Sequence, residues 1–297
     1  MLGFACICNT LKDSGRFKTV TVKTLTKLSD EDQAKKLKAT AVDNLYNSLQ
    51  ILKWCKENDI LMYRFSSDII PLATYVESWH WWEDGDVQNM CSKIKSFVEE
   101  NKIRISLHPD QFCVLNSDKP HVVQNSIKHL EYLNTLSNMI GNKLLIIHTG
   151  STVGGKEKAI QRFIESFSLL SKDIQSKLAL ENDDKSFGAL DVLPICETLG
   201  IPMIFDIHHF NCLNTGESLS DLRQRIINTW KGRRPKMHLS SGKTGFNDRH
   251  HGDYINEEDY RAALKFAGED FDIMLECKQK ELALLRIREN EACSHTS

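Results

Sequence analysis

His108, His148, Glu181, Asp206, His238 and Glu276 each stand in or beside a short apolar run, and His209 and His251 follow two of those runs on adjoining loops. Imidazoles and carboxylates are ligands for zinc, manganese or iron. Taken singly, a histidine after a strand reads as an ordinary hydrogen-bonded residue, and an Asp or Glu there as a helix N-cap. The joint pattern reads differently. Three carboxylates converging on one buried pocket repel, and burying each costs several kcal/mol unless a cation compensates it. The set therefore predicts a polynuclear metal site. His108, His148 and Glu181 are expected to hold one ion. Asp206, His238 and Glu276 are expected to hold a second, with Glu181 bridging, and His209 with His251 a third. Such clusters suit in-line displacement at phosphorus, because ions activate water and stabilise the leaving oxygen. Sugar isomerisation is the competing chemistry, and it wants a two-ion, carboxylate-rich site with less histidine.

These residues need elements that bring them together. Eight apolar runs recur along the chain: Leu2–Cys8, Ile60–Phe65, Ile103–Leu107, Lys143–Ile147, Lys177–Leu180, Pro202–Phe205, Pro235–Leu239 and Phe271–Leu275. Their continuous apolar character fits strands buried on both faces, as parallel strands are. Stretches with helical periodicity separate them, near 30–58, 87–101, 121–140, 156–172, 186–199, 218–230 and 257–266, with a last one near 279–289. On the first, Leu45, Leu49, Leu52 and Cys55 share one face. Strands alternating with helices imply a parallel sheet with right-handed crossovers. Eight such units predict a single (β/α)8 TIM barrel over residues 1–288, with the site at the carboxyl ends of the strands and a loose tail over 289–297. An open doubly wound sheet is the alternative, weakened because no GxGxxG follows the first strand, so no nucleotide cofactor is expected.

The composition fits this frame. In 297 residues, 41% hydrophobic and 26% charged residues give the balance of a soluble globular protein, excluding collagen and low-complexity disorder. A net charge of -2 argues against a wholly basic nucleic-acid arm but leaves room for a local basic face. Lys185, Lys243, Arg249, Lys278 and Lys280 all fall on loops after strand ends, where they can track phosphates. The nine cysteines are odd in number and form no CxxC, which reads as free thiols in a reducing cytoplasm. No run approaches the about 18 apolar residues of a membrane span. The apolar start lacks preceding basic residues, so no signal peptide is expected.

The segments SLHPDQF (106–112), IIHTGS (146–151), ALENDD (179–184), FDIHH (205–209), PKMHLSS (235–241) and LECKQKE (275–281) resemble the ultraviolet damage endonucleases. The opening LGFACICNTL is similar to that family's first strand, and the resemblance runs from Leu2 to about Leu282. That family comprises DNA-repair nucleases on a TIM barrel, related to apurinic endonucleases of the endonuclease IV type. The resemblance implies a nick on the 5′ side of cyclobutane pyrimidine dimers and 6-4 photoproducts in damaged double-stranded DNA, leaving a 3′-hydroxyl and a 5′-phosphate. It implies three divalent ions, typically manganese, with zinc, magnesium or cobalt as alternatives. By motif match their ligands are His108, His148, Glu181, Asp206, His209, His238, His251 and Glu276, with Glu181 and Glu276 acting as ligands and not as general bases.

Lys236 matches a lysine that is chemically modified in a family member. A carbamate there would turn a cation into an anion at the metal rim, and a phosphate-binding lysine is the other reading. Gln111 and Phe112 match the pair that wedges into the duplex where the lesion is flipped out. Phe replaces a common Tyr at 112, which preserves stacking and removes a hydroxyl. Phe4 likewise replaces a Tyr, and Phe4 and Asn9 are expected to contact DNA or the lesion, as are Lys236, Lys243, Arg249 and Lys278. A monomer in the cytoplasm is expected. An apurinic-site nuclease, a metal-dependent sugar isomerase and a noncatalytic damage binder remain the alternatives.

Overall fold

The computed structural model describes residues 1–75, 79–214, 216 and 218–294. Eight parallel strands close into a barrel in chain order: β1 Leu2–Ala5, β2 Met62–Phe65, β3 Arg104–Leu107, β4 Leu145–His148, β5 Leu178–Glu181, β6 Met203–Asp206, β7 Lys236–Leu239 and β8 Asp272–Leu275. Helices between the strands form the outer layer, which makes the fold a TIM barrel.

Each helix begins and ends for a local reason. Asp30–Glu57 starts at Ser29, whose hydroxyl accepts from the Asp32 amide, and acidic residues fill its first turn, where the helix dipole favours them. Its inner face buries Ala41, Leu45, Leu52 and Cys55 against the barrel, while Leu37 packs with Val20 and Leu25. Pro120 opens the helix Pro120–Ile140, where its missing N–H costs nothing. The helix expected near 156–172 is interrupted: Lys156–Ser168 ends, and a new cap at Ser171 starts Lys172–Lys177. A helix at Ile207–Leu213, absent from the expected pattern, is capped by Asp206 itself. The last helix, Glu281–Ser294, continues past Glu289 into the expected tail; 295–297 lie outside the described residues.

Strand register decides which side chains face the barrel axis. Neighbouring parallel strands in register point their paired residues the same way, and successive residues alternate. His148 is paired with Glu181, Asp206 with His238, His238 with Met274, and Ala5 with Arg64. These residues point inward. Ala5, Met62 and Met274 pack together in the interior, while Ile146, Ala179 and Ile204 pack with Leu144 and Trp230. Gly3 belongs to this crowded layer: a Cβ there would stand 2.4 Å from the Met62 carbonyl oxygen. Residues one step out of phase, such as Phe4, Tyr63, Phe65, Leu107 and Leu180, join the core between barrel and helices.

Candidate active site

The inward alternation carries six expected residues to one end of the barrel. His148, Glu181 and Asp206 are the last residues of their strands, His238 is the third of four in β7, and His108 and Glu276 directly follow β3 and β8. Glu181 is buried at the centre. Its Oε2 lies 3.1 Å from His108 Nε2 and 3.9 Å from His148 Nε2. Its Oε1 lies 2.8 Å from His238 Nδ1 and 3.8 Å from His209 Nδ1. His238 Nδ1 is also 2.9 Å from Glu276 Oε1.

Three donor groups share this one carboxylate: His108–His148–Glu181, Glu181–Asp206–His209 and Glu181–His238–Glu276. Within each group the ligand atoms lie within 4.8 Å of one another. The first group is as expected. The other two differ: Asp206 sits with His209 rather than with His238 and Glu276, because its helix cap folds His209 back beside it, 3.7 Å from Asp206 Oδ2. His251 falls outside these groups but stands beside them, its ring 6.0 Å from that of His209 and 5.6 Å from that of His208.

The hydrogen bonds around the imidazoles set their tautomers. His108 Nδ1 is 2.7 Å from the Pro109 carbonyl, His209 Nδ1 is 2.9 Å from that of Asn182, and His251 Nδ1 is 2.8 Å from that of Glu276. A carbonyl only accepts, so each Nδ1 carries the proton and donates it. Each Nε2 is then the nitrogen that would face a cation, on giving up any proton it shares with Glu181 or carries as imidazolium. Asp206 Oδ1 caps the following helix, while its buried Oδ2 has no hydrogen-bond partner, and neither has His238 Nε2. Orphaned polar atoms in a buried pocket are costly. Their presence inside an oxygen-and-imidazole donor set fits divalent ions.

Charges here are strongly coupled. Burial alone would raise the Glu181 carboxyl, but His238, His148 and His108 overcome it and hold the group well below the usual range. Glu276 is also held well below it, with Arg64 and His238 outweighing burial. Burial works against protonation of His209, yet Asp206 and Glu181 lift it to about 9. His238 is raised by Glu181 and Glu276 against its own burial, whereas at His108 burial prevails and lowers the imidazole. Lys236, also buried, points inward two residues before His238 and donates to Ser106 Oγ at 2.6 Å. Burial, then Arg64 and Arg104, push its amine well below the ordinary lysine range.

A cavity of about 610 Å3 opens beside the cluster, lined by His108, Gln111, His148, Asp183, Lys185 and His209 among others. Gln111 and Phe112 stand exposed at its edge, on a turn closed by Asp110 Oδ1 accepting from the Phe112 amide at 2.8 Å. Lys185, Lys243, Arg249 and Lys278 are exposed on the same end of the barrel, with Arg249 Nε 3.8 Å from Asp184 Oδ2. Asn9 is half-buried and donates to the Gln279 carbonyl, tying the β1 loop to the β8 loop. Phe4 is a correction. It is fully buried on the outer side of β1, edge-on to Trp54 and Tyr63 with centroids 6.1 and 5.4 Å apart, and has no access to DNA.

With this geometry in view, the relatives are informative. The family model described as UV-endonuclease UvdE matches residues 1–295. The chain belongs to the UvdE family. The UV DNA damage endonuclease of Bacillus thuringiensis subsp. konkukian (strain 97-27) is 37% identical over 292 residues, spanning 96% of this chain and 92% of that protein. The crystal structure of SacUVDE superposes with a TM-score of 0.85 at 37% identity, covering 95% of this chain and 94% of that one. Endonuclease IV from Thermus thermophilus shares the fold, with a TM-score of 0.58 at 14% identity over 84% of this chain and 94% of that one.

The UvdE site also contains residues that the sequence reading passed over. Arg64 points inward from β2 and forms an ion pair with Glu276. Asn182 bridges β5 and β6, donating to the Asp206 carbonyl and accepting from the Asp206 amide, both at 2.9 Å. The signal for Arg64 was present as a charge inside the apolar strand MYRF, in phase with inward Met62.

Proposed function

We propose that this protein is a divalent-metal-dependent endonuclease that nicks damaged duplex DNA on the 5′ side of cyclobutane pyrimidine dimers and 6-4 photoproducts, leaving 3′-hydroxyl and 5′-phosphate ends. The observation that carries the reading is Glu181: one buried carboxylate common to three donor groups, in a chain of the UvdE family, beside an exposed Gln111–Phe112 tip. The endonuclease names of its relatives support the substrate class.

His108, His148, Glu181, Asp206, His209, His238, His251 and Glu276 would hold up to three ions, manganese being the expected metal. When bound, such ions supply Lewis acidity and neutralise charge building at phosphorus. The protein's own groups do the rest. Backbone carbonyls hold the imidazoles in the donor tautomer. Glu181 and Glu276 act as ligands. Lys236 is buried with its amine biased toward the neutral form, which suits carbamate formation, and carbamylation would add an anion to the cluster rim. Lys185, Lys243, Arg249 and Lys278 track phosphates without reading bases. Gln111 and Phe112 wedge into the duplex. A photoproduct already weakens stacking and pairing, so extruding it costs less than extruding normal bases. The protein works as a cytoplasmic monomer with one domain over residues 1–288, and its single continuous barrel supports that domain count.

The test sets three duplexes side by side with manganese: one bearing a single thymine dimer, one abasic and one intact. Cleavage of the dimer strand at its 5′ flank, with a 3′ end that a polymerase extends and a complete block by chelator, is expected. Cleavage of the abasic duplex alone would refute the proposal.

A further inference from the structure

The loop after β7, residues 240–256, carries an exposed aromatic ring, Phe246. Phe246 is 60% exposed and Phe112 is 76% exposed; among the described Phe, Tyr and Trp residues these two are the most exposed. They stand on the loops after β7 and β3. In a closed barrel of eight strands in chain order, β3 and β7 are four strands apart in either direction. The two loops therefore leave opposite sides of the same mouth, and the β7 loop reaches back over it far enough for Arg249 Nε to lie 3.8 Å from Asp184 Oδ2 after β5.

A single surface phenylalanine needs no explanation. Phe246 differs because its loop is built to hold it. Gly242 bridges to His251, and the Lys243 amide donates to the His250 carbonyl at 2.7 Å. Asp248 closes the turn within: its Oδ2 accepts from the Thr244 amide at 3.0 Å and the Thr244 hydroxyl at 2.6 Å, and its Oδ1 accepts from the His250 amide at 3.0 Å. The turn is so tight that a Cβ on Gly242 would stand 1.9 Å from the Gly245 carbonyl oxygen. The ring is carried on a hydrogen-bonded turn flanked in sequence by exposed Lys243 and Arg249, with His251 where the loop returns to Gly242. A fixed aromatic face between cations is the usual form of a base-stacking platform, since the cations hold the phosphates and every base has a face to stack.

We propose that Phe246 is a second base-stacking residue, receiving the face of a nucleobase left unstacked beside the lesion while Phe112 enters from the loop after β3. The inference rests on the DNA-nicking reading. Binding is followed by fluorescence anisotropy on a duplex with one thymine dimer whose 5′-flanking linkage is non-hydrolysable, and on its undamaged counterpart, using the manganese-loaded protein. Phe246→Ala is expected to weaken binding to the dimer duplex roughly tenfold, as loss of one base–aromatic stack does. Binding to the undamaged duplex, its salt dependence and the thermal midpoint should not move. Phe246→Tyr should restore the affinity, and Phe246→Leu, apolar but without a stacking face, should not. Dimer-duplex affinity within twofold of wild type in Phe246→Ala, or full rescue by Leu, overturns the assignment. A wild-type protein that leaves an ordinary dimer duplex uncut would instead overturn the nicking reading on which it stands.

Discussion

Glu181 has four imidazoles within 4 Å of its two oxygens and almost no exposure. Replacing it by an amide preserves shape and removes the charge that all three donor groups share. Glu181→Gln should lose bound metal by elemental analysis and lower nicking by more than about 100-fold, beyond what is lost when a group that only orients a ligand is removed. Manganese content near that of wild type would contradict its central role. Gln111→Ala separates capture from chemistry. It is expected to keep its metal while binding the dimer duplex roughly tenfold more weakly, the scale of a lost stacking-site contact. Unchanged affinity would remove the wedge.

At the scale of the element, β1 gives the sharpest test of what a residue type can and cannot say. The family resemblance implied a DNA contact for Phe4, but register pairs it with Tyr63 and Leu275, on the helix side of the sheet. Phe4→Ala should cost about 3–5 kcal/mol of unfolding free energy, as a large core truncation does, measured by denaturant titration. The folded fraction should bind the dimer duplex as wild type does; loss of binding without loss of stability would restore the original reading.

The order and type of the strands and most helices were legible because apolar runs and 3.6-residue spacing record burial directly. So was the cluster of candidate donors, since His, Asp and Glu at strand ends, ordinary one by one, recur on six of the eight strands and converge in a closed barrel. What was not legible depended on phase and capping. Whether Phe4 or its neighbours faced the axis is set by pairing with other strands. The pairing of Asp206 with His209 depends on a helix too short to show a period, Ile207–Leu213. Arg64 went unread because its partner, Glu276, is far along the chain and meets it only across the barrel seam.

Across the whole molecule, the two poles of the barrel are charged in different ways. At the amino-terminal pole, buried Asp272 accepts from the Met1 amino group at 3.0 Å, Arg104 at 2.6 Å and Arg234 at 2.8 Å. Burial alone would raise its carboxyl, but Arg234, Arg104 and the Met1 amine outweigh burial and lower it. A carboxyl lowered in the folded state contributes stability that is present above its unfolded pKa of about 3.9 and is lost as pH falls through the folded value. Asp272→Asn should therefore be less stable than wild type at pH 7 by about 2–3 kcal/mol, below the 3–5 of a fully enclosed pair because the arginines are partly exposed. The gap should narrow as pH falls below the unfolded value of about 3.9 and close once the folded Asp272 carboxyl is itself protonated. A gap that persists there would assign the loss to shape instead of charge.

The opposite pole holds its carboxylates next to protein cations: Arg64 on Glu276, and His209 and His238 drawn toward protonation by Asp206, Glu181 and Glu276. Zinc fingers lack such internal counter-charges and unravel when stripped of their ions. Here the far-ultraviolet circular dichroism of chelator-treated protein should match that of the loaded form, and manganese added afterwards should revive nicking without a refolding lag. Assembly and arming are then separate events, and a cell short of manganese would keep a reserve of finished but idle enzyme that supply alone switches on.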